Sequence, residues 1–157
     1  MKIGLLPLYV KLYDDVAPDI RPRLNAFYEK IAVEFENRGL EVVRSPFCRL
    51  KDEFKTTIAD FEREDVDAMV TIHMAYSPSL ESIEALCDTN LPIIVLDTTE
   101  TLEFTNEQDS EEIMYCHGIH GVMDMCSMLR REGKAFAVAA GHPDHSDVLD
   151  RTAGYLR

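Results

Sequence analysis

Short, nearly continuous apolar runs alternate along this chain with stretches in which apolar residues return every three or four positions. The runs read as strands buried on both faces, and the periodic stretches read as helices with one face on a core. Residues 2–9 form the first strand, although Pro7 predicts that it ends or bulges early. A polar segment follows, and a helix begins near Asp19 with Pro22 in its first turn. Leu24, Phe27, Tyr28, Ile31 and Phe35 mark its inner face and Gly39 its stop. Residues 40–44 are the second strand, and Leu50, Phe54, Ile58 and Phe61 the inner face of the second helix.

The alternation continues to the end of the chain. Residues 68–74 form a third strand, then Ser77 and Pro78 open a helix whose inner face is Leu80, Ile83 and Cys87. A fourth strand over 93–96 ends at Asp97. Ile119, Val122, Cys126 and Leu129 give a fourth helix that stops at Gly133. Residues 136–140 are the fifth strand. Val148, Leu149, Thr152, Tyr155 and Leu156 share a face of a last helix that shows no stop before Arg157. Parallel strands with right-handed helical crossovers predict one α/β domain over residues 1–157, a three-layer, doubly wound, flavodoxin-like (Rossmann-like) sheet in the order 2-1-3-4-5. The irregular stretches, 10–18 and 98–110, fall after strand ends, on the carboxyl edge where such sheets bind ligands.

Charge narrows the partners. The net charge of −13 argues against nucleic acid and against anionic membranes, both of which select clustered Lys and Arg. The apolar runs are far shorter than the roughly 20 residues that span a bilayer, and no cleavage-site pattern follows residues 1–10. The cysteines, Cys48, Cys87, Cys116 and Cys126, form no C-x-x-C pair and read as reduced, packed thiols of a cytoplasmic protein.

The familiar chemistries of this fold do not find their residues here. The turn after the first strand, Val10-Lys11-Leu12-Tyr13-Asp14-Asp15, lacks the glycines that let a backbone approach a pyrophosphate, which excludes NAD and disfavours a flavin phosphate. No Gly-Lys-Ser/Thr triplet or Gly-x-Ser-x-Gly elbow occurs. His73-Met74 stands where a phosphoryl-accepting Asp would, and Tyr115-Cys116-His117-Gly118-Ile119-His120 breaks the cobalamin-binding pattern. The pairs His117/His120 and His142/His145 have the i,i+3 spacing that can place two imidazoles together. Cys116, Asp144 or Asp147 can add a third zinc ligand; hydrogen bonding to loops or to a polar ligand is the simpler use, and no metal is assigned to this chain. Asp14, Asp15, Glu100 and Glu103 read as a solvated or helix-capping acidic face, with no catalytic set assembled.

Several strand-end segments carry a resemblance. Leu12-Tyr13 after the first strand, His73-Met74-Ala75-Tyr76-Ser77-Pro78 after the third and Asp97-Thr98-Thr99 after the fourth appear in order, followed by His117-Gly118 at the fourth helix and Gly141-His142 after the fifth strand. Together they resemble the amino-terminal domain of the L-arabinose isomerase and L-fucose isomerase superfamily. The resemblance implies a ketol isomerase acting on a free monosaccharide, several hundred residues long. It implies a divalent metal, usually manganese, held by later domains. In a homo-oligomer, a trimer or hexamer, this domain would lend substrate contacts to a neighbouring subunit.

Carried over by position, Leu12, Tyr13 and His117 would face the sugar, with Lys11 beside them and His73, Tyr76 and His142 as further contacts. No catalytic residue or cofactor would belong to residues 1–157 alone. Val10-Lys11 stands where arabinose isomerases have Gln-His, and Ile119-His120-Gly121 replaces their Asp-Arg-Glu, which leaves the sugar open. The alternative reading is a stand-alone flavodoxin-like module for small ligands or partners, without catalysis.

Overall fold

The first strand shows how the sequence builds three layers. In β1 (Lys2–Leu8), Ile3 and Leu5 enter one buried cluster, and Leu6 and Leu8 the other. This is the two-residue alternation of a strand covered on both faces. The computed structural model describes residues 1–156. It adds β2 (Glu41–Arg44), β3 (Ala68–His73), β4 (Ile93–Asp97) and β5 (Phe136–Ala140), all parallel, in the order β2-β1-β3-β4-β5. The expected fold and strand order are therefore those observed.

Among the described residues six α-helices accompany the sheet: α1 (Lys11–Val16), α2 (Arg21–Asn37), α3 (Lys51–Arg63), α4 (Ser79–Asp88), α5 (Gly118–Arg131) and α6 (Val148–Gly154). One core joins α2 and α6 to Val70, Ile72, Ile94 and Leu96. The other joins α3, α4 and α5 to Met69, Ile93 and Val95. Gly4 lets α3 pack close to the sheet, since a Cβ there would lie 2.6 Å from the Phe61 ring. Pro7 neither ends nor bulges β1. Its carbonyl accepts from Cys48 N–H at 2.9 Å beyond the last β2 pair, so its missing N–H falls where that ladder has already stopped.

Other details depart from the pattern. The supposed loop 10–18 contains α1 and enters a 3-10 turn at Pro18–Ile20. Pro78, rather than Ser77, caps α4, and Leu80 on that helix points outward. The buried stripe of α4 is Ser79, Ser82, Ala85 and Leu86, with Ile83 and Cys87 at its flank. Small residues let α4 pack beside α5, and the Ser79 hydroxyl donates to Asp124 across that contact. On α5 the inner face is Gly118, Gly121, Val122, Met125 and Leu129, leaving Ile119 exposed and Cys126 half-buried. Helix α6 ends at Gly154. Tyr155 then turns out and donates its hydroxyl to Val138 C=O, while Arg157 lies outside the described residues.

Candidate functional site

Two loops meet above the carboxyl edge of the sheet. The first carries α1, a helix of six residues with no side-chain cap and no buried residue. So short a helix is not stable by its own propensity. Its anchor is Asp14, which accepts from Arg21 Nε at 2.7 Å and Arg49 Nη1 at 2.9 Å. Burial alone would raise the Asp14 carboxyl, but the hydrogen bonds and charges of the two arginines outweigh it and hold the group below the usual range. Arg21 lies over the rings of Tyr9 and Phe47, 4.7 and 4.3 Å from their centroids, so its own position is fixed by packing. Asp14 is thus a part-buried ion pair rather than part of a solvated acidic face.

The second loop joins β4 to α5 and contains a 3-10 segment, Ser110–Tyr115. Arg23 of α2 ties it down by pairing with Glu100 at 2.6 Å and with Glu112, and by lying 4.0 Å over the Tyr115 ring. At the end of this loop His117 caps α5. Its Nδ1 is in hydrogen-bond contact with Ile113 C=O, and its Nε2 lies 3.0 Å from Tyr13 Oη. A carbonyl only accepts, so Nδ1 carries the proton and, in the neutral ring, Nε2 accepts from the Tyr13 hydroxyl. Burial raises the Tyr13 phenol, which keeps that donor protonated. The free lone pairs of Tyr13 Oη are left to accept from a ligand hydroxyl.

The remaining sequence candidates divide. Lys11 and Leu12 share α1 with Tyr13; Lys11 pairs with Asp15 at 2.6 Å and Leu12 is 58% exposed. Tyr76 is half-buried just past β3. His142 lies apart at the β5 tip, donating Nε2–H to Glu100 C=O at 3.0 Å while Nδ1 accepts Asp144 N–H at 3.1 Å. His73 does not reach the site surface. It is buried beneath α5, where a Cβ on Gly121 would meet its ring at 2.6 Å, and neither ring nitrogen has a partner among the described residues. Burial pushes its pKa down to about 3, so it is a neutral core imidazole.

The structure also supplies anchors that no sequence pattern marks, Arg21, Arg23 and Arg49, and places Asp97 at the tip of β4. Burial raises the Asp97 carboxyl, and its charge adds to the burial that lifts the Cys126 thiol to about 11. The four cysteines are unpaired. The His117 and His120 rings lie 6.4 Å apart and those of His142 and His145 4.9 Å. Among the described residues no group of three or more His, Cys, Asp or Glu is placed to hold a metal ion. No helix among them is long and apolar enough to cross a membrane.

No protein-family profile matches the chain, and no curated protein does. Among solved structures it is similar to a LacI family transcriptional regulator from Silicibacter pomeroyi, at 13% identity and a TM-score of 0.38. That similarity covers 99% of this chain, which spans 64% of the regulator chain.

Proposed function

We propose that this chain is the amino-terminal, substrate-contacting domain of an aldose–ketose sugar isomerase of the L-fucose or L-arabinose isomerase type. The observation that carries the reading is the Tyr13–His117 hydrogen bond, 3.0 Å long, on the ligand-binding edge of the sheet. In this reading a monosaccharide hydroxyl donates to Tyr13 Oη. His117, fixed in one tautomer by Ile113, orients that phenol. Leu12 lies against the C–H face of the ring.

The rim of the site favours a neighbouring unit over open solvent. Leu12, Phe104, Ile113 and Ile119 are exposed apolar residues on the two loops and the helix that carry Tyr13 and His117. Scattered apolar exposure is ordinary, but its concentration beside a polar pair fits a face that a second subunit of a homo-oligomer covers. Among the described residues no group of three or more His, Cys, Asp or Glu gathers to hold a metal ion. The manganese that such enzymes use to polarise two sugar oxygens therefore belongs, in this proposal, to other domains, and no step is assigned to it here.

The test is an isomerase assay of the longest natural product of this reading frame, with manganese, on L-arabinose and L-fucose. Ketose formation supports the proposal. No turnover, with or without sugar binding, contradicts it and leaves the stand-alone module for small ligands or partners.

A further inference from the structure

The sheet ends on one side at β5, which has β4 as its only neighbour among the described residues. Gly141 N–H donates to Asp97 C=O at 3.1 Å, so the backbone at position 141 faces β4. Strand backbone alternates, which turns the N–H and C=O groups of Phe136, Val138 and Ala140 outward. An outward row of this kind is a ready template for a further strand. The row carries no charge and no proline to discourage one, since β5 reads Phe136-Ala137-Val138-Ala139-Ala140.

Two side chains from beyond the strand reach back over this row. Arg151 of α6 donates from Nη2 to Ala140 C=O at 2.7 Å, and the Tyr155 hydroxyl donates to Val138 C=O at 3.1 Å. Both acceptors belong to the outward set, as the alternation requires. Asp147 accepts Arg151 Nε at 2.8 Å from one helical turn away, and so steers the guanidinium toward the strand. The Tyr155 ring is 52% exposed, held at the edge by its hydroxyl. Val138 itself is 39% exposed, so the middle of the strand is otherwise open.

A second copy of the strand fits this row. Two β5 strands set antiparallel about a two-fold axis at Val138 place Val138 against Val138 and Phe136 against Ala140. Each of these residues then exchanges both its N–H and its C=O bond with the residue opposite. No like charges meet across the axis. The pairing needs the carbonyls of Val138 and Ala140, the two that Tyr155 and Arg151 occupy. We infer that Arg151 and Tyr155 are gatekeepers of the β5 edge, closing it against antiparallel pairing with a second copy of this chain.

The experiment compares this chain with Arg151→Met and Tyr155→Phe, singly and together, by sedimentation velocity over a range of concentrations. Both replacements keep the bulk of the side chain and remove its donor. The double variant is expected to dimerise with an association constant about tenfold or more above the parent's, and each single variant with a smaller rise. Hydrogen exchange at the Val138 and Ala140 amides is expected to be fast in the parent and slowed in the dimer. Adding Val138→Lys sets two ammonium groups opposite each other, and is expected to return the double variant to the parent's behaviour. Circular dichroism and thermal midpoints verify the fold, and Tyr155→Phe alone carries the test if the double variant does not fold. Unchanged association in the folded variants overturns the gatekeeping role. Association that survives Val138→Lys, or that leaves the Val138 and Ala140 amides in fast exchange, overturns β5 as the paired edge. Neither Tyr13 nor His117 takes part, so the outcome is independent of the sugar-contact reading.

Discussion

Tyr13 and His117 are separated by 104 positions, yet Tyr13 Oη and His117 Nε2 lie 3.0 Å apart. Each partner is held from behind: Tyr13 rides on a helix anchored by Asp14, and the His117 ring is fixed through Nδ1 by Ile113 C=O. Two independent anchors that converge on one short bond make a preorganised contact, the kind that loses little freedom when a ligand arrives.

In the full-length isomerase proposed above, Tyr13→Phe and His117→Ala are each expected to lower kcat/KM by about 1–3 kcal/mol equivalent, as for a lost ligand hydrogen bond. The metal content is expected to stay unchanged. Steady-state kinetics on the best sugar, with metal analysis of each variant, check both. Loss of metal in either variant would show that this domain shapes the metal centre directly.

The anchor beneath α1 has its own signature. Arg21→Lys keeps the charge but loses the paired geometry on Asp14 and the stacking on Tyr9 and Phe47. A loss of about 1–3 kcal/mol is expected in urea unfolding. Asp14 is depressed in the folded state, so its contribution is present above the ordinary carboxylate value of 3.8 and is lost as pH falls through the lower folded value. Equal stability of Arg21→Lys and the parent at neutral pH would remove this role.

How much of this was readable beforehand varies with the distance over which each feature acts. The parallel sheet and its order follow from apolar runs such as Ile93-Ile94-Val95-Leu96, because a strand buried on both faces leaves a local trace. The pairing of Tyr13 with His117 was approachable only by placing both after strand ends. The triad of Asp14, Arg21 and Arg49 leaves no periodic trace at all, since side chains meet there across a turn and a separate strand-to-helix loop. Helix α1 was missed because its stability comes from that triad and not from an apolar stripe. The inner face of α4 was misjudged for a related reason. Apolar spacing predicts Leu80 on the core side, whereas packing against α5 selects small Ser79 and Ser82. His73 sits at a strand end like the other candidates, but only the glycines of α5 show that it is roofed over.

His73 gives the fold a built-in acid sensitivity. Its folded pKa is about 3 against the ordinary 6.5, so the unfolded chain holds the extra proton between those values. The contribution is complete above about pH 6.5 and falls by about 1.4 kcal/mol per pH unit below it. Unfolding free energies at about pH 7.5 and 5 are expected to differ by about 2 kcal/mol from this group. His73→Leu is expected to remove that difference. The same acid sensitivity in His73→Leu as in the parent would contradict the assignment.

Manganese is expected not to bind this chain tightly. The two histidine pairs have ring nitrogens committed to backbone groups, as at His142 and His117, and no third ligand gathers beside them among the described residues. Calorimetric titration at neutral pH checks this. One-to-one binding at micromolar or lower concentration would mean that a histidine pair forms a site after all.

The most direct test of the sugar-contact claim is nitrogen-15 NMR of the His117 ring in this chain, with L-arabinose or L-fucose added above millimolar concentration. A ligand hydroxyl donating to Tyr13 Oη draws on the same phenol that donates to Nε2, so the Nε2 resonance and the Tyr13 ring signals are predicted to move together and saturate. Tyr13→Phe is predicted to abolish the Nε2 response. An Nε2 resonance that stays fixed while other residues respond to the sugar, or a response that persists in Tyr13→Phe, would contradict the account.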